Sequence, residues 1–345
     1  MNRQISLTLT EFLESTGSQV RFYDLGRRVN ALPKALFLAF ERAELAYPYP
    51  MQQKAWFAMV QEPTDTANEP VIWFLRLDLD EQGKLVQATR DYLIRRFIES
   101  AARQRQGTDP GEAMRDNPYA FAPREDKMAN FHAVLQRDLG LPPSQYFEHA
   151  CDYLSGRPGW EQWSFVGYQG LADIAARQED PALAALLTGA IPHLPDEPLI
   201  ALSQCLENHP PAPDLARALN ERLGSATQDA AARPVLLASL LRALSLADPA
   251  LLGSAVLRVL ELAQASDPEV LAAIAGRCWP ALRDPALAHH YLERLASDEV
   301  EGQLFTHCVS DLLRLPEMRE SILGVLRSEN RSSRLATAFD RLLSG

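Results

Sequence analysis

At 345 residues the chain exceeds what one hydrophobic core comfortably supports, which points to two domains or an elongated repeat architecture. Apolar residues make up 47% and charged residues 23%, ordinary values that exclude wholesale disorder, and no apolar run reaches the roughly 18 residues needed to span a bilayer. The net charge of -11 is unevenly placed: residues 1–150 hold 18 basic and 20 acidic side chains, residues 151–345 hold 16 and 25. An acidic half repels phosphate backbones, so protein partners are favoured over nucleic acid.

The N-terminal MNRQISLTLTEFLESTG carries acidic residues where a signal peptide would have its apolar stretch, so a cytoplasmic location is expected. Residues 1–110 read as a small α+β domain. QVRFYDL (19–25), WFAMVQE (56–62) and VIWFLRLDLD (71–80) are rich in β-branched and aromatic residues, and in the last Val71, Trp73, Leu75, Leu77 and Leu79 alternate with Arg76, Asp78 and Asp80. EQGK then supplies a turn into LVQA, which predicts three or four antiparallel strands, flanked by helices at 31–44 and 89–104. DLDEQG (78–83) resembles the start of a calcium loop, but its fifth position is Gln82 and its twelfth is Thr89, so a hairpin turn is expected. Arg90, Arg95, Arg96, Arg103 and Arg105 fall in one helix with Tyr92 and Phe97. Arginines interleaved with aromatics can grip a nucleic-acid backbone, with Arg95, Arg96 and Arg103 as the candidate contacts. Leu93, Phe97 and Ala101 lie at spacing four, as the core stripe of an ordinary amphipathic helix would.

Residues 111–160 are expected to be a linker and connecting helices. RQGTDPGEAMRDNPYAFAPRED has the proline, glycine and charge content of a linker. Within it NPYAFAP is either a docking peptide anchored by Tyr119 and Phe121 or a segment that lies down on its own domain. MANFHAVLQRDLG and PSQYFEHACDYL continue as helices.

Residues 161–345 repeat one phrase: EDPALAA at 179, ADPALLG at 247 and RDPALAH at 283. Asp is a good N-cap acceptor, and Pro tolerates the first helical position because its missing N–H would have had no intrahelical partner. Asp180, Asp248, Asp267 and Asp284 each open a helix, and Pro213 and Pro316 open two more. Prolines 181, 213, 249, 285 and 316 are separated by 32, 36, 36 and 31 residues, a period that predicts five helical hairpins at 162–194, 196–225, 229–264, 267–297 and 299–327, with a closing helix after Asn330. In PVLLASLLRALSLA the polar residues Ser239, Arg242 and Ser245 form one narrow stripe, so that helix should be nearly buried. The region resembles the HEAT and armadillo-like class of α-solenoid. RPGWEQWSFVGYQGLADIAAR (157–177) is the densest aromatic stretch, with Trp160, Trp163, Phe165 and Tyr168, and its Gly167 and Gly170 sit where two helices can approach closely. It reads as the junction sealing the first hairpin against the N-terminal domain; an exposed partner-binding patch is the sharper alternative.

Four widely spaced cysteines, with no CxxC pair, suggest neither a disulfide framework nor a zinc ribbon. His289 and His290 point about 100° apart on a helix and cannot readily share a metal. Phosphate loops, dinucleotide fingerprints, nucleophile elbows and paired-histidine zinc helices are all missing from the sequence, so no catalytic residue, cofactor or metal is expected.

The N-terminal α+β segment, the passage from NPYAFAP to KMANFHA and the helix WSFVGYQGLADIAAR together resemble a family of uncharacterised gammaproteobacterial proteins known as a domain of unknown function. The resemblance covers the whole chain and implies a bacterial cytosolic setting, with no activity attached. The expected function is therefore that of a non-enzymatic interaction or adaptor protein, presenting an acidic solenoid surface to a protein partner. Tyr119, Phe121, Trp160, Trp163 and Tyr168 are the candidate partner-binding residues. The alternative is a nucleic-acid-associated protein using the arginine helix 89–105.

Overall fold

The computed structural model describes residues 8–15, 17–62, 70–104, 117–229, 231–297, 300 and 302–344. The chain divides into two compact units, Met1–Arg124 and Glu125–Gly345.

The first unit holds helix α1 (Leu9–Ser15), strands β1 (Gln19–Asp24) and β2 (Asn30–Leu32), helix α2 (Lys34–Glu41), strands β3 (Lys54–Glu62) and β4 (Val71–Asp78), and helix α3 (Gln87–Gln104). The four strands form one antiparallel sheet in the order β2-β1-β3-β4. Period-2 alternation sends Phe22, Phe57, Leu75 and Leu77 to one face, where Phe37 and Phe40 of α2 and Leu93 and Phe97 of α3 complete the core. Phe22 stacks on Phe37 with ring centroids 3.6 Å apart.

Two buried carboxylates organise the surrounding backbone. Asp24 accepts from the N–H groups of Arg27 at 3.1 Å and Arg28 at 3.0 Å and from the Tyr47 hydroxyl at 2.8 Å, holding the turn between β1 and β2. Glu41 accepts from the N–H groups of Leu9 at 2.9 Å and Thr10 at 3.2 Å and from the Thr10 hydroxyl. These are orphan donors at the start of α1, so a side chain from α2 caps a helix more than 30 residues away.

Two short elements, α1 and β2, are too brief to show a period in the sequence. The segment LVQA, expected as a strand, makes only the bridge Leu79↔Leu85 before α3 begins at Gln87. The reason is local: Asp80 Oδ1 accepts from the N–H of Gln82 at 2.8 Å and of Lys84 at 2.9 Å, and Gly83 takes φ +74°, so DLDEQG is a tight turn whose outgoing chain passes directly into a helix.

The second unit is helical. Its members are α4 (Glu125–Asp138), α5 (Phe147–Leu154), a 3-10 turn over Trp160–Phe165, α6 (Tyr168–Ala176), α7 (Pro181–Ala190), α8 (Asp196–Leu206), α9 (Pro213–Gln228), α10 (Pro234–Leu244), α11 (Pro249–Leu260), α12 (Pro268–Arg277), α13 (Pro285–Leu295), α14 (Gly302–Arg314), α15 (Arg319–Leu326) and α16 (Ser333–Ser344). Contacts run between alternate helices: α4, α6, α8, α10, α12 and α14 pack in series, and so do α5, α7, α9, α11, α13 and α15. The unit is thus two rows of helices joined by short turns, with α16 against α13, α14 and α15. The pairs α6–α7 through α14–α15 occupy the five predicted hairpins, and α4–α5 forms a further pair in front of them.

Cap chemistry places the helix starts. Asp180, Asp248 and Asp284 each accept from the two N–H groups that follow their proline, and Asp267 accepts from Glu269 N–H at 2.9 Å. Pro316 does not open a helix as expected; it lies in the turn after α14, and α15 starts at Arg319. The Met318 N–H donates to the Leu315 carbonyl at 3.0 Å, closing a turn over Pro316 before the helix begins, whereas Pro213, which also lacks an Asx acceptor before it, does open α9. On α10 the predicted polar stripe is itself covered: Ser239 and Ser245 are buried and only Arg242 reaches out, to Glu269 Oε2 at 3.0 Å.

His209, in the turn after α8, is buried, and its Nε2 finds no hydrogen-bond partner among the described residues. Burial, reinforced by the nearby Arg137 guanidinium, pushes its pKa down from 6.5 to about 3. Between those values the unfolded chain takes up a proton that the folded chain refuses, so stability falls as pH drops through this window, by up to about 1.4 kcal/mol per pH unit. His209→Asn should show a shallower loss of thermal midpoint between pH 7 and 5 than the parent, measured by calorimetry. A parallel decline in the two proteins would refute it.

The caps give a second test. Asp248 Oδ1 accepts from Ala250 N–H at 2.9 Å and Leu251 N–H at 3.3 Å, so Asp248→Ala should cost about 1 kcal/mol while Asp248→Asn retains most of the stability. Equal midpoints for Asp248→Ala and parent, with a loss in Asp248→Asn, would contradict the capping account.

Candidate protein-binding surface

The contact between α5 and α6 is built on a glycine. A Cβ at Gly170 would stand 2.4 Å from the Tyr146 carbonyl oxygen and 2.8 Å from the Ala150 Cβ, so only hydrogen lets the α6 backbone come this close. Gly167 faces the ring of Tyr146 in the same way, with 3.1 Å available. The chain between the helices turns at Gly156 and Gly159, both at positive φ. Trp160 is anchored there: its indole lies over Gly156, stacks on the His193 ring at 5.6 Å and meets the Tyr153 ring edge-on at 5.9 Å, while its carbonyl accepts from the Tyr153 hydroxyl at 2.8 Å.

Beyond that anchor the aromatic side chains turn outward. Phe165 is 72% exposed, Trp163 39% and Tyr146 47%. Their backbone is ordered by Val166 N–H donating to the Trp163 carbonyl at 2.9 Å and by the Tyr146 contact with Gly167. Tyr168 goes the other way. Its hydroxyl accepts from Asn130 Nδ2 at 3.2 Å and adjoins Cys205, and burial pushes its pKa far above the usual phenol value.

Carboxylates flank the exposed rings along the chain. Glu148, Asp152 and Glu161 are exposed, and Asp152 pairs with Arg157. Their field is felt between them: burial pushes the Cys151 thiol up to about 11 with help from Glu148 and Asp152, and burial pushes the Tyr153 phenol up to about 12 with help from Glu161.

Of the residues singled out in the sequence, the structure brings Trp160, Trp163 and Tyr168 into one segment and gives them different surroundings. Tyr119 and Phe121 belong to the first unit, where they extend its sheet: Arg76 N–H donates to the Tyr119 carbonyl at 2.8 Å and Phe121 N–H to the Phe74 carbonyl at 3.1 Å. The Phe121 ring meets Trp56 edge-on at 5.0 Å, and Tyr119 meets Tyr92 at 5.6 Å. On α3, Arg90 is buried and donates to the Glu41 carbonyl at 3.3 Å; Arg95 is exposed, and Arg96 lies 3.8 Å from Glu99. Arg105 and the side chain of Arg103 lie outside the described residues. Phe165 and Tyr146 are exposed as Trp163 is, without having been singled out as anchors. A hydropathy pattern marks them only as apolar.

A cleft of about 730 Å³ between α13 and α15 is lined by Arg283, His289, Glu317, Glu320 and Ser321. Arg283 and Glu317 neutralise each other across it, and His289 Nε2 lies 3.6 Å from Glu293. Among the described residues no group of three His, Cys, Asp or Glu side chains could hold a metal, and no helix is long and apolar enough to cross a membrane. Burial pushes Cys205 up to about 12 and Cys308 up to about 11, so both thiols stay protonated and unreactive at neutral pH.

The whole net charge falls on the helical unit: residues 1–124 hold 16 basic and 16 acidic side chains, and residues 125–345 hold 18 and 29. A family model described as a protein of unknown function matches residues 4–343. No curated protein and no solved structure matches the chain.

The glycine contact is testable. Gly170→Ala forces a methyl group against backbone and should cost roughly 1–3 kcal/mol, whereas Gly253→Ala, in α11 with nothing within 4 Å of the added carbon, should be neutral or gain up to about 1 kcal/mol. Equal thermal midpoints for the two variants would show that α5 and α6 do not depend on that approach.

Proposed function

We propose that this chain, which belongs to the DUF3549 family of proteins of unknown function, is a non-enzymatic, protein-binding adaptor of the bacterial cytoplasm whose helical unit is an α-solenoid of the HEAT or armadillo kind. The observation that carries the reading is the exposure of Tyr146, Trp163 and Phe165 on a backbone held by the close approaches at Gly167 and Gly170 and by the half-buried Trp160. Exposed aromatic groups cost solvation energy unless a partner covers them, and aromatic anchors dominate protein interfaces. A fixed backbone keeps the entropy of docking low, because little must be ordered on binding. Stacked helices offer broad faces suited to holding another protein.

The experiment is affinity purification of the full chain from its native cell, with bound proteins quantified by mass spectrometry, for the parent and for the Trp163→Ala, Phe165→Ala double variant. One or more proteins should fall by at least about tenfold in the variant, as expected for the loss of anchors worth 1–2 kcal/mol or more, while its thermal midpoint stays near the parent's. An unchanged set of captured proteins would overturn the reading.

A further inference from the structure

We propose that the segment docking on Tyr146, Trp163 and Phe165 is basic: a stretch of a partner protein in which an apolar anchor is flanked by lysine or arginine. The inference rests on the docking reading above and adds the chemistry of the occupant.

Charge complementarity carries it at two scales. At long range the first unit is neutral by sequence and the helical unit holds an excess of 11 acidic side chains, so its field attracts cations and repels phosphate backbones. At short range the exposed rings are interleaved with acid. Glu148 follows Tyr146 by two residues, and Glu161 precedes Trp163 by two. Neither glutamate makes an ion pair among the described residues, while Arg157, the one lysine or arginine between positions 138 and 176 of the sequence, pairs with Asp152. Elsewhere in the unit, arginines are engaged within the fold: Arg222 and Arg233 with Asp196, Arg242 with Glu269, Arg277 with Glu207 and Arg283 with Glu317. Glu148 and Glu161 thus belong to the acidic excess that these internal pairs leave unneutralised, and they stand next to the exposed rings in the chain.

The rings suit a cation as well. An ammonium or guanidinium over an indole or phenol face is attracted by the ring quadrupole, most strongly for Trp. Arg76 already lies 5.5 Å from the Trp56 ring centre in the first unit, so the chain uses this interaction internally. A second copy of the chain is disfavoured as the occupant, because closing two such patches face to face would oppose acidic rims.

The test uses the full chain and fluorescein-labelled synthetic peptides that share a leucine and phenylalanine anchor and differ at the flanking positions, which are arginine and lysine, glutamine, or glutamate. Binding is read by anisotropy in low and physiological salt. The basic peptide should bind roughly tenfold tighter than the glutamine peptide at low salt, with the advantage shrinking as salt rises. Glu148→Gln with Glu161→Gln should remove most of that advantage while leaving the glutamine peptide's affinity unchanged; Trp163→Ala with Phe165→Ala should weaken every peptide. Equal affinity for the glutamine or glutamate peptide would overturn the basic partner and leave aromatic docking standing. Basic-peptide binding indifferent to the Glu148 and Glu161 changes would place it elsewhere on the molecule and overturn the proposal, as would binding of no peptide at all; in that last case the capture experiment still decides the docking reading. A concentration-dependent dimer in sedimentation, abolished by Trp163→Ala with Phe165→Ala, would overturn it in favour of a second copy.

Discussion

A helix such as α10, with Leu236, Leu237, Leu240, Leu241 and Leu244 all inaccessible, cannot exist in water unless other elements cover it on several sides. It lies against α8 and α12 in its own row and against α9 and α11 in the other. Each of those neighbours has the same need, so no pair is sufficient and the rows must run on until a helix with a polar outer face ends them. The amphipathic α16, with Leu335 and Phe339 inward and Arg334, Asp340 and Arg341 outward, is placed to do this. Asp-Pro caps set where α7, α11, α12 and α13 begin, but the burial of leucine and alanine between rows is what makes the beginnings matter.

Charge follows from the same arrangement. With apolar residues committed to the contacts between rows, polar side chains fall to turns and outer faces, and ion pairs form across neighbouring helices. Glu207 and Arg277, separated by 70 positions, meet at 2.9 Å. Burial alone would raise the Glu207 carboxyl, but Arg277, Lys127 and Arg242 together outweigh it and hold it below the ordinary value. Such pairs use arginines as internal ties, which is why the acidic excess of the unit appears at its surface rather than inside it.

The aromatic segment shows how a fold assigns different roles to similar residues. Trp160 and Trp163 are three positions apart, yet one packs on His193 and Tyr153 and the other projects. The chain turns at Gly156 and Gly159, both at positive φ, so that the Trp160 indole lies over Gly156, and α6 then passes close to the Tyr146 carbonyl at Gly170. In the first unit Tyr119 and Phe121 meet the opposite fate: the backbone of NPYAF pairs with β4, and their rings settle on Tyr92, Trp56 and Phe74.

By itself the sequence determined the helical second half, its five hairpins and most helix starts, because Asp-Pro capping and apolar spacing act within a few residues and leave a direct local trace. It also determined the long strands, whose alternation is equally local. It did not determine β2 or α1, which have too few residues for a period, or the passage of LVQA into a helix, which the Asp80 turn controls. Tertiary structure alone decided that Glu41 caps α1, that Ser239 and Ser245 are covered, and that Trp163, Phe165 and Tyr146 stay outside while Trp160 packs on His193 and Tyr153 and Tyr168 meets Asn130. In each case the deciding contact joins residues far apart in the chain or depends on a close backbone approach, and pattern along the sequence records which residues are apolar without recording what comes to cover them.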